Sequence, residues 1–170
     1  MKIYASFFEW HDKGRKELGV VEKLIEALNR STALRLHSPK EFSPDPPDCV
    51  CLNASGQCIA IEVAEVVCEN AVRLNAQGTE VYRSWNHGDL IAHIQHRLSE
   101  KDGKLFHGGP YQEVIACLFT DEPTLTASQA TSELVGQLFG PFKQLTAAFL
   151  LFSYDPGSQT YPVVKLELLK

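Results

Sequence analysis

The chain has no apolar run approaching the ~20 residues that a membrane-spanning helix needs. It also lacks an excess of positive charge. Sixteen Lys and Arg stand against 21 Asp and Glu, for a net charge of -5. That excludes a protein that holds nucleic acid or a membrane mainly through bulk positive charge, though not one with a local basic strip. Five cysteines are present (Cys49, Cys51, Cys58, Cys68 and Cys117), yet no two form a CxxC pair, so the spacing of a zinc site is missing. The apolar stretch within Met1–Trp10 is too short for the core of a secretory leader and is broken by Glu9 and by His11 just beyond it. The odd cysteine count agrees with reduced thiols, and a cytoplasmic location is expected. Internal repeats and low-complexity tracts are absent as well.

What remains is ordinary globular usage. The chain has 170 residues, 44% hydrophobic and 22% charged, which suits one domain with a real core and is too short for two ordinary ones. The charge is uneven. Residues 1–44 carry 8 basic and 6 acidic side chains, residues 45–100 carry 3 and 8, and residues 101–170 carry 5 and 7. The acidity therefore gathers in the middle third. A solvated acidic surface accounts for that, and so does a site that collects carboxylates around a divalent cation.

Periodicity predicts a helix from Gly14 to Arg30, where Leu18, Val21, Leu24, Ile25 and Leu28 recur at three- and four-residue steps. Ala33–Leu36 reads as a short strand. Ser38-Pro39 through Pro44-Asp45-Pro46-Pro47 reads as a loop that delivers the chain into a sheet. Cys49–Leu52 and Cys58–Val63 are short apolar runs around Asn53-Ala54-Ser55-Gly56-Gln57, a hairpin signal. Residues 66–86 are ambiguous. A second helix is predicted from Asp89, as N-cap, to Glu100 or Lys101, with Leu90, Ile91, Ile94 and Leu98 as its stripe. Glu113–Phe119 reads as a buried strand, Thr126–Phe139 as a helix, and Ala147–Phe152 and Val163–Leu168 as strands. The order predicts an α/β single domain with a mixed sheet flanked by helices.

The informative segment runs from Pro47-Asp48 to Ile61-Glu62-Val63-Ala64-Glu65. Asp48 opens one hairpin strand and Glu62 lies near the end of the other. Antiparallel pairing through a short loop brings the start of the first beside the end of the second. Two carboxylates would then meet at one edge of the sheet. They repel, and they call for a cation between them. Mg²⁺ meets that demand, because it takes one or two carboxylates and engages phosphate oxygens. For Asp48 the alternative is an acid that caps a turn after prolines.

These residues resemble the PD-(D/E)xK nuclease superfamily, the restriction-endonuclease-like fold. Pro47-Asp48 matches the first half of its motif, and Glu62-Val63-Ala64 matches the second half up to the lysine. The resemblance implies a restriction-endonuclease-like core and a Mg²⁺- or Mn²⁺-dependent nuclease acting on DNA or RNA, with Asp48 and Glu62 holding the metal. It also implies a homodimer, since single-domain members often need two copies to cut both strands. Ala64 stands where the motif lysine is expected. Either Lys101 or Lys104, after the second helix, supplies the amine, or catalysis is lost and the scaffold serves as a protein- or ligand-binding module. Glu22 or Glu26 on the first helix and Glu65 at the strand end are supporting acids by the same resemblance. Strand alternation turns Glu65 to the opposite face from Glu62.

Histidines offer a rival site. His93 and His96 lie three apart beside Arg97, with His87 just before them, but no H-E-x-x-H pattern is completed. If the protein is a nuclease, Arg97 and the neighbouring histidines are expected to contact phosphate instead of a metal. Gly108-Gly109-Pro110-Tyr111 lacks the lysine of a P-loop and reads as a turn.

Overall fold

The computed structural model describes residues 12–82 and 84–169. The stretch Met1–Trp10, considered above for a leader, lies outside the described residues. The first helix, α1 (Lys13–Ser31), is started by Asp12, whose Oδ1 accepts from the amides of Gly14 at 2.9 Å and Arg15 at 3.4 Å. Its buried stripe is Val20, Val21, Leu24, Ile25, Ala27 and Leu28. The chain then enters β1 (His37–Glu41), β2 (Cys49–Leu52) and β3 (Cys58–Glu65). Helices α2 (Glu69–Ala76) and α3 (His87–Asp102) lead to β4 (Glu113–Thr120). Helix α4 (Ala127–Leu134), β5 (Leu138–Phe139), β6 (Ala147–Phe152) and β7 (Val163–Leu168) complete the chain.

The strands form one seven-stranded mixed sheet in the order β1-β2-β3-β4-β6-β7-β5. β3, β4 and β6 run parallel at its centre, and their crossovers supply the helices. Two cores follow from strand alternation. Cys49, Cys51, Ile59, Ile61, Val63, Ile115, Cys117 and Phe119 face α1. The intervening residues Ala116, Leu118, Ala148 and Leu150 face Leu90, Ile94 and Leu98 of α3 and Ala130 and Leu134 of α4. Cys49 and Cys51 thus share one strand face as small buried apolar groups, and burial pushes both thiols up to about 12.

Three expectations need correction, and the stretch left open contains a helix. The strand predicted at Ala33–Leu36 lies instead at His37–Glu41 and contains Pro39, which was placed in a loop. It is an edge strand with a register shift between His37 and Lys40, the setting in which a sheet tolerates proline. The ambiguous stretch contains α2. Helix α3 starts two residues earlier than expected: Asn86 is its cap and accepts from the amide of Asp89 at 2.9 Å, so Asp89 lies in the first turn. The helix predicted to reach Phe139 stops at Leu134. Gly136, at φ +75°, turns the chain so that Leu138 and Phe139 pair with β7.

Candidate functional site

The β2–β3 hairpin builds the site. Asn53 Oδ1 accepts from the amides of Ser55 and Gln57 at 3.0 and 2.9 Å, and Gly56 takes φ +75°. The turn sets a register in which Cys49 pairs with Ile61, so the next pair outward is Asp48 and Glu62. Reciprocal hydrogen bonds lock the two acids. The Asp48 amide donates to Glu62 Oε1 at 3.1 Å, and the Val63 amide donates to Asp48 Oδ2 at 2.7 Å. Asp48 is 5% exposed and Glu62 is fully buried.

Two ammonium groups offset these charges. Lys101 Nζ lies 2.9 Å from both Asp48 Oδ2 and Glu62 Oε2. Lys104 Nζ lies 2.8 Å from Glu62 Oε2 and 3.6 Å from Asp45 Oδ1. Burial works against the charge on Lys104, but its contact with Glu62 outweighs that and holds the ammonium protonated well above the ordinary lysine range. Both lysines contact Glu62 Oε2, whereas Asp48 Oδ1 is buried without a donor among the described residues. An orphaned buried carboxylate oxygen of this kind is costly unless an ion or water takes it up.

Lys101 reaches this place because it continues the buried stripe of α3, three residues after Leu98 and seven after Ile94. Lys104 follows the helix end at Gly103, where Gln144 Nε2 donates to the carbonyls of Asp102 and Lys104 at 2.6 and 2.7 Å. Ala64 lies two residues beyond Glu62 on the same sheet face. Ala64 and Lys101 both line a cleft of about 370 Å³, together with Lys13, Lys16, Glu17 and Arg97. A second cavity of about 270 Å³, walled by Phe42, Cys51, Cys58 and Tyr111, has no carboxylate in its wall.

Asp48, Glu62, Lys101 and Lys104 are therefore brought together. Glu22 is exposed on α1 and outside the cluster, and Glu26 pairs with Lys23 and Arg30. Glu65 turns to the α1 side and pairs with Lys16 at 3.2 Å. His96 pairs with Glu100 at 3.6 Å, while His93 packs edge-on against Trp85. Arg97 contacts Glu69 at 2.7 Å and Glu100 at 3.1 Å.

Two acids escaped the sequence reading. Asp45, in the proline segment, places a carboxylate oxygen within 4.8 Å of those of Asp48 and Glu62. Glu17, only 15% exposed, is held above the usual carboxylate range by burial and then by the charge of Asp48, against the attraction of Lys13. Its signal is that it extends the α1 stripe by one turn, at 17, 20, 21 and 24.

Asp45, Asp48 and Glu62 offer only hard oxygen ligands, and the orphaned Asp48 Oδ1 is one of them. That donor set could hold a hard metal ion. Fold and site together define an α/β protein with a buried carboxylate–lysine centre at a hairpin edge. Comparison with protein-family profiles, curated proteins and solved structures returns no match.

Proposed function

We propose that the chain is a divalent-metal-dependent nuclease of the PD-(D/E)xK kind, hydrolysing phosphodiesters in DNA or RNA, with its lysine supplied by α3 instead of the position of Ala64. The observation that carries this reading is the Lys101 ammonium 2.9 Å from both buried carboxylates, Asp48 and Glu62. Asp45, Asp48 and Glu62 would hold the ion. A bound Mg²⁺ or Mn²⁺ supplies acidification of a water and charge neutralisation on the phosphate. The backbone amides of Asp48 and Val63 keep the carboxylates aimed before any ligand arrives. Lys101 orients the attacking water and stabilises charge that develops on phosphate oxygens. Lys104 holds Glu62 and Asp45 together. In the reaction the water oxygen bonds to phosphorus, the phosphorus–alkoxide bond breaks, and the leaving oxygen takes up a proton. Cleavage of both strands of a duplex calls for a homodimer on this reading.

The test is cleavage of single-stranded DNA, duplex DNA and RNA in Mg²⁺ and in Mn²⁺ by wild type, Asp48→Asn and Glu62→Gln, with folding monitored by circular dichroism. The expected loss is roughly a hundredfold or more in each variant. Equal cleavage by all three proteins would sink the proposal.

A second reading has its own observation. Both carboxylates already have ammonium partners, and Ala64 leaves the motif position empty of charge. An inert scaffold that binds a protein or a ligand would keep such a centre for architecture alone. Wild type that neither cleaves nor gives heat with Mg²⁺ or Mn²⁺ selects it.

A further inference from the structure

We infer that Lys101 is the resident counter-ion of this centre, and that a divalent cation enters by displacing its ammonium into the adjoining cleft. The inference rests on the proposed metal reading and adds how the site is held before the ion arrives. The Lys101 side chain is 12% exposed, and its Nζ touches one oxygen of each buried carboxylate at 2.9 Å. It therefore occupies oxygens that an ion would need. Without it, buried Asp48 would have no ammonium beside it among the described residues, and the two like charges would share only Lys104 on Glu62, which is expensive. An ammonium and a divalent cation cannot both claim the same oxygens at close range.

The donor count favours exchange. Asp48 Oδ2 already accepts from Val63 N and Lys101, while Asp48 Oδ1 is buried with no donor among the described residues. A single ammonium leaves that oxygen unused. An ion of higher charge that takes several oxygen ligands uses it. The displaced group also has somewhere to go. Lys101 lines the 370 Å³ cleft, whose wall carries the carboxylates of Glu17 and Glu100 and the small side chain of Ala64. A lysine stem is long and flexible enough to make that move from a fixed helix end. Lys104, the outer of the two lysines at 31% exposed, sits on the same Glu62 Oε2 and yields that oxygen to the ion in the same exchange. Ala64 thus matters for the room it leaves.

Three consequences follow. The site is assembled without metal. Metal affinity of the wild type is weakened by the ion pairs it must break. The Lys101 amine becomes reactive only once an ion is bound. The experiment uses the full chain and MnCl₂ as probe. Calorimetry compares wild type, Lys101→Met and Asp48→Asn, and amine acylation of the wild type is mapped by mass spectrometry with EDTA or MnCl₂.

Lys101→Met is expected to bind Mn²⁺ at least about tenfold more tightly than wild type, and Asp48→Asn not at all. Acylation of Lys101 is expected to rise severalfold with MnCl₂. Measurable Mn²⁺ binding by wild type with no gain in Lys101→Met, or with unchanged Lys101 acylation at saturation, overturns the exchange and spares the metal reading. No Mn²⁺ binding by wild type or by Lys101→Met defeats the metal reading itself. Should Lys101→Met be unfolded in EDTA, refolding on MnCl₂ addition supports the inference, and the acylation of wild type decides it otherwise.

Discussion

Glu17 and Lys101 are charged side chains at positions where their helices would otherwise present apolar ones. Each extends a buried stripe by one turn, Glu17 at the start of α1 and Lys101 at the end of α3. Both line the same cleft. For Glu17 the cost can be read in pH. Burial first, and then the charge of Asp48, raise its folded-state pKa above the unfolded value. A raised carboxyl binds its proton more tightly when folded. Ionised Glu17 therefore penalises the fold at neutral pH, and the penalty fades as pH falls through the raised folded value toward the unfolded one. Glu17→Gln is expected to raise the melting temperature at pH 7 by about 2–4 °C. The gain should vanish below about pH 4. Thermal melts across pH check this, and no gain at pH 7 would show that Lys13 compensates Glu17 fully. Lys101 is a candidate from the sequence because it follows the helix after the hairpin; Glu17 is legible in principle, because a charge on an apolar stripe is a visible anomaly. Glu22 and Glu26, the supporting acids that the resemblance implies, occupy faces that solvent or neighbouring lysine and arginine satisfy.

At the scale of elements, the site depends on how the end of α3 is tied to the strand entering the core. Asp102, the last residue of α3, accepts from the backbone amides of Lys143, Gln144 and Leu145 at 2.7–3.1 Å. Burial opposes its charge, but the three backbone donors outweigh it and hold the carboxyl below the usual range. A depressed carboxyl contributes stability that is present above the unfolded pKa and is lost as pH falls through the folded one. Asp102→Asn is expected to melt about 2–4 °C lower than wild type at pH 7. The two proteins should converge in acid, and parallel melting curves at every pH would contradict the assignment. The β2–β3 hairpin and the position of α3 were readable from alternation and from stripe spacing. Helix ends were not. Gly136 ends α4 through a backbone conformation, and the dipeptide Leu138–Phe139 is too short to carry a period of its own.

At the scale of the molecule, the net charge of -5 and the paired state of most cations near the site limit any nucleic-acid contact to a local patch. Lys13, Lys16 and Arg97 are the cleft cations besides Lys101. If they are the phosphate contacts, the logarithm of affinity should fall with the logarithm of salt with a slope no steeper than about -3. Titration of labelled DNA and RNA between low and physiological salt measures it. A steeper slope would mean a basic surface elsewhere. The acidic middle third takes on a definite shape in the fold. Part of it is the cluster of Asp45 with buried Asp48 and Glu62; of the rest, Glu65 pairs with Lys16 of α1, Glu69 with Arg97 of α3, and Glu100 with Arg97 within the same helix.

By itself the sequence determined the α/β class, the hairpin and the meeting of Asp48 with Glu62. Those follow from short-range rules: periodicity, turn chemistry and antiparallel register act within a few residues. Long-range packing sets how Lys101 and Lys104 stand beside the acids and brings Asp45 and Glu17 to join them. Lys101 lies 53 positions from Asp48 along the chain. It arrives there because Leu90, Ile94 and Leu98 seat α3 on the sheet and Gln144 and Asp102 fasten its end. Packing of distant elements sets that encounter, and local spacing carries no record of it.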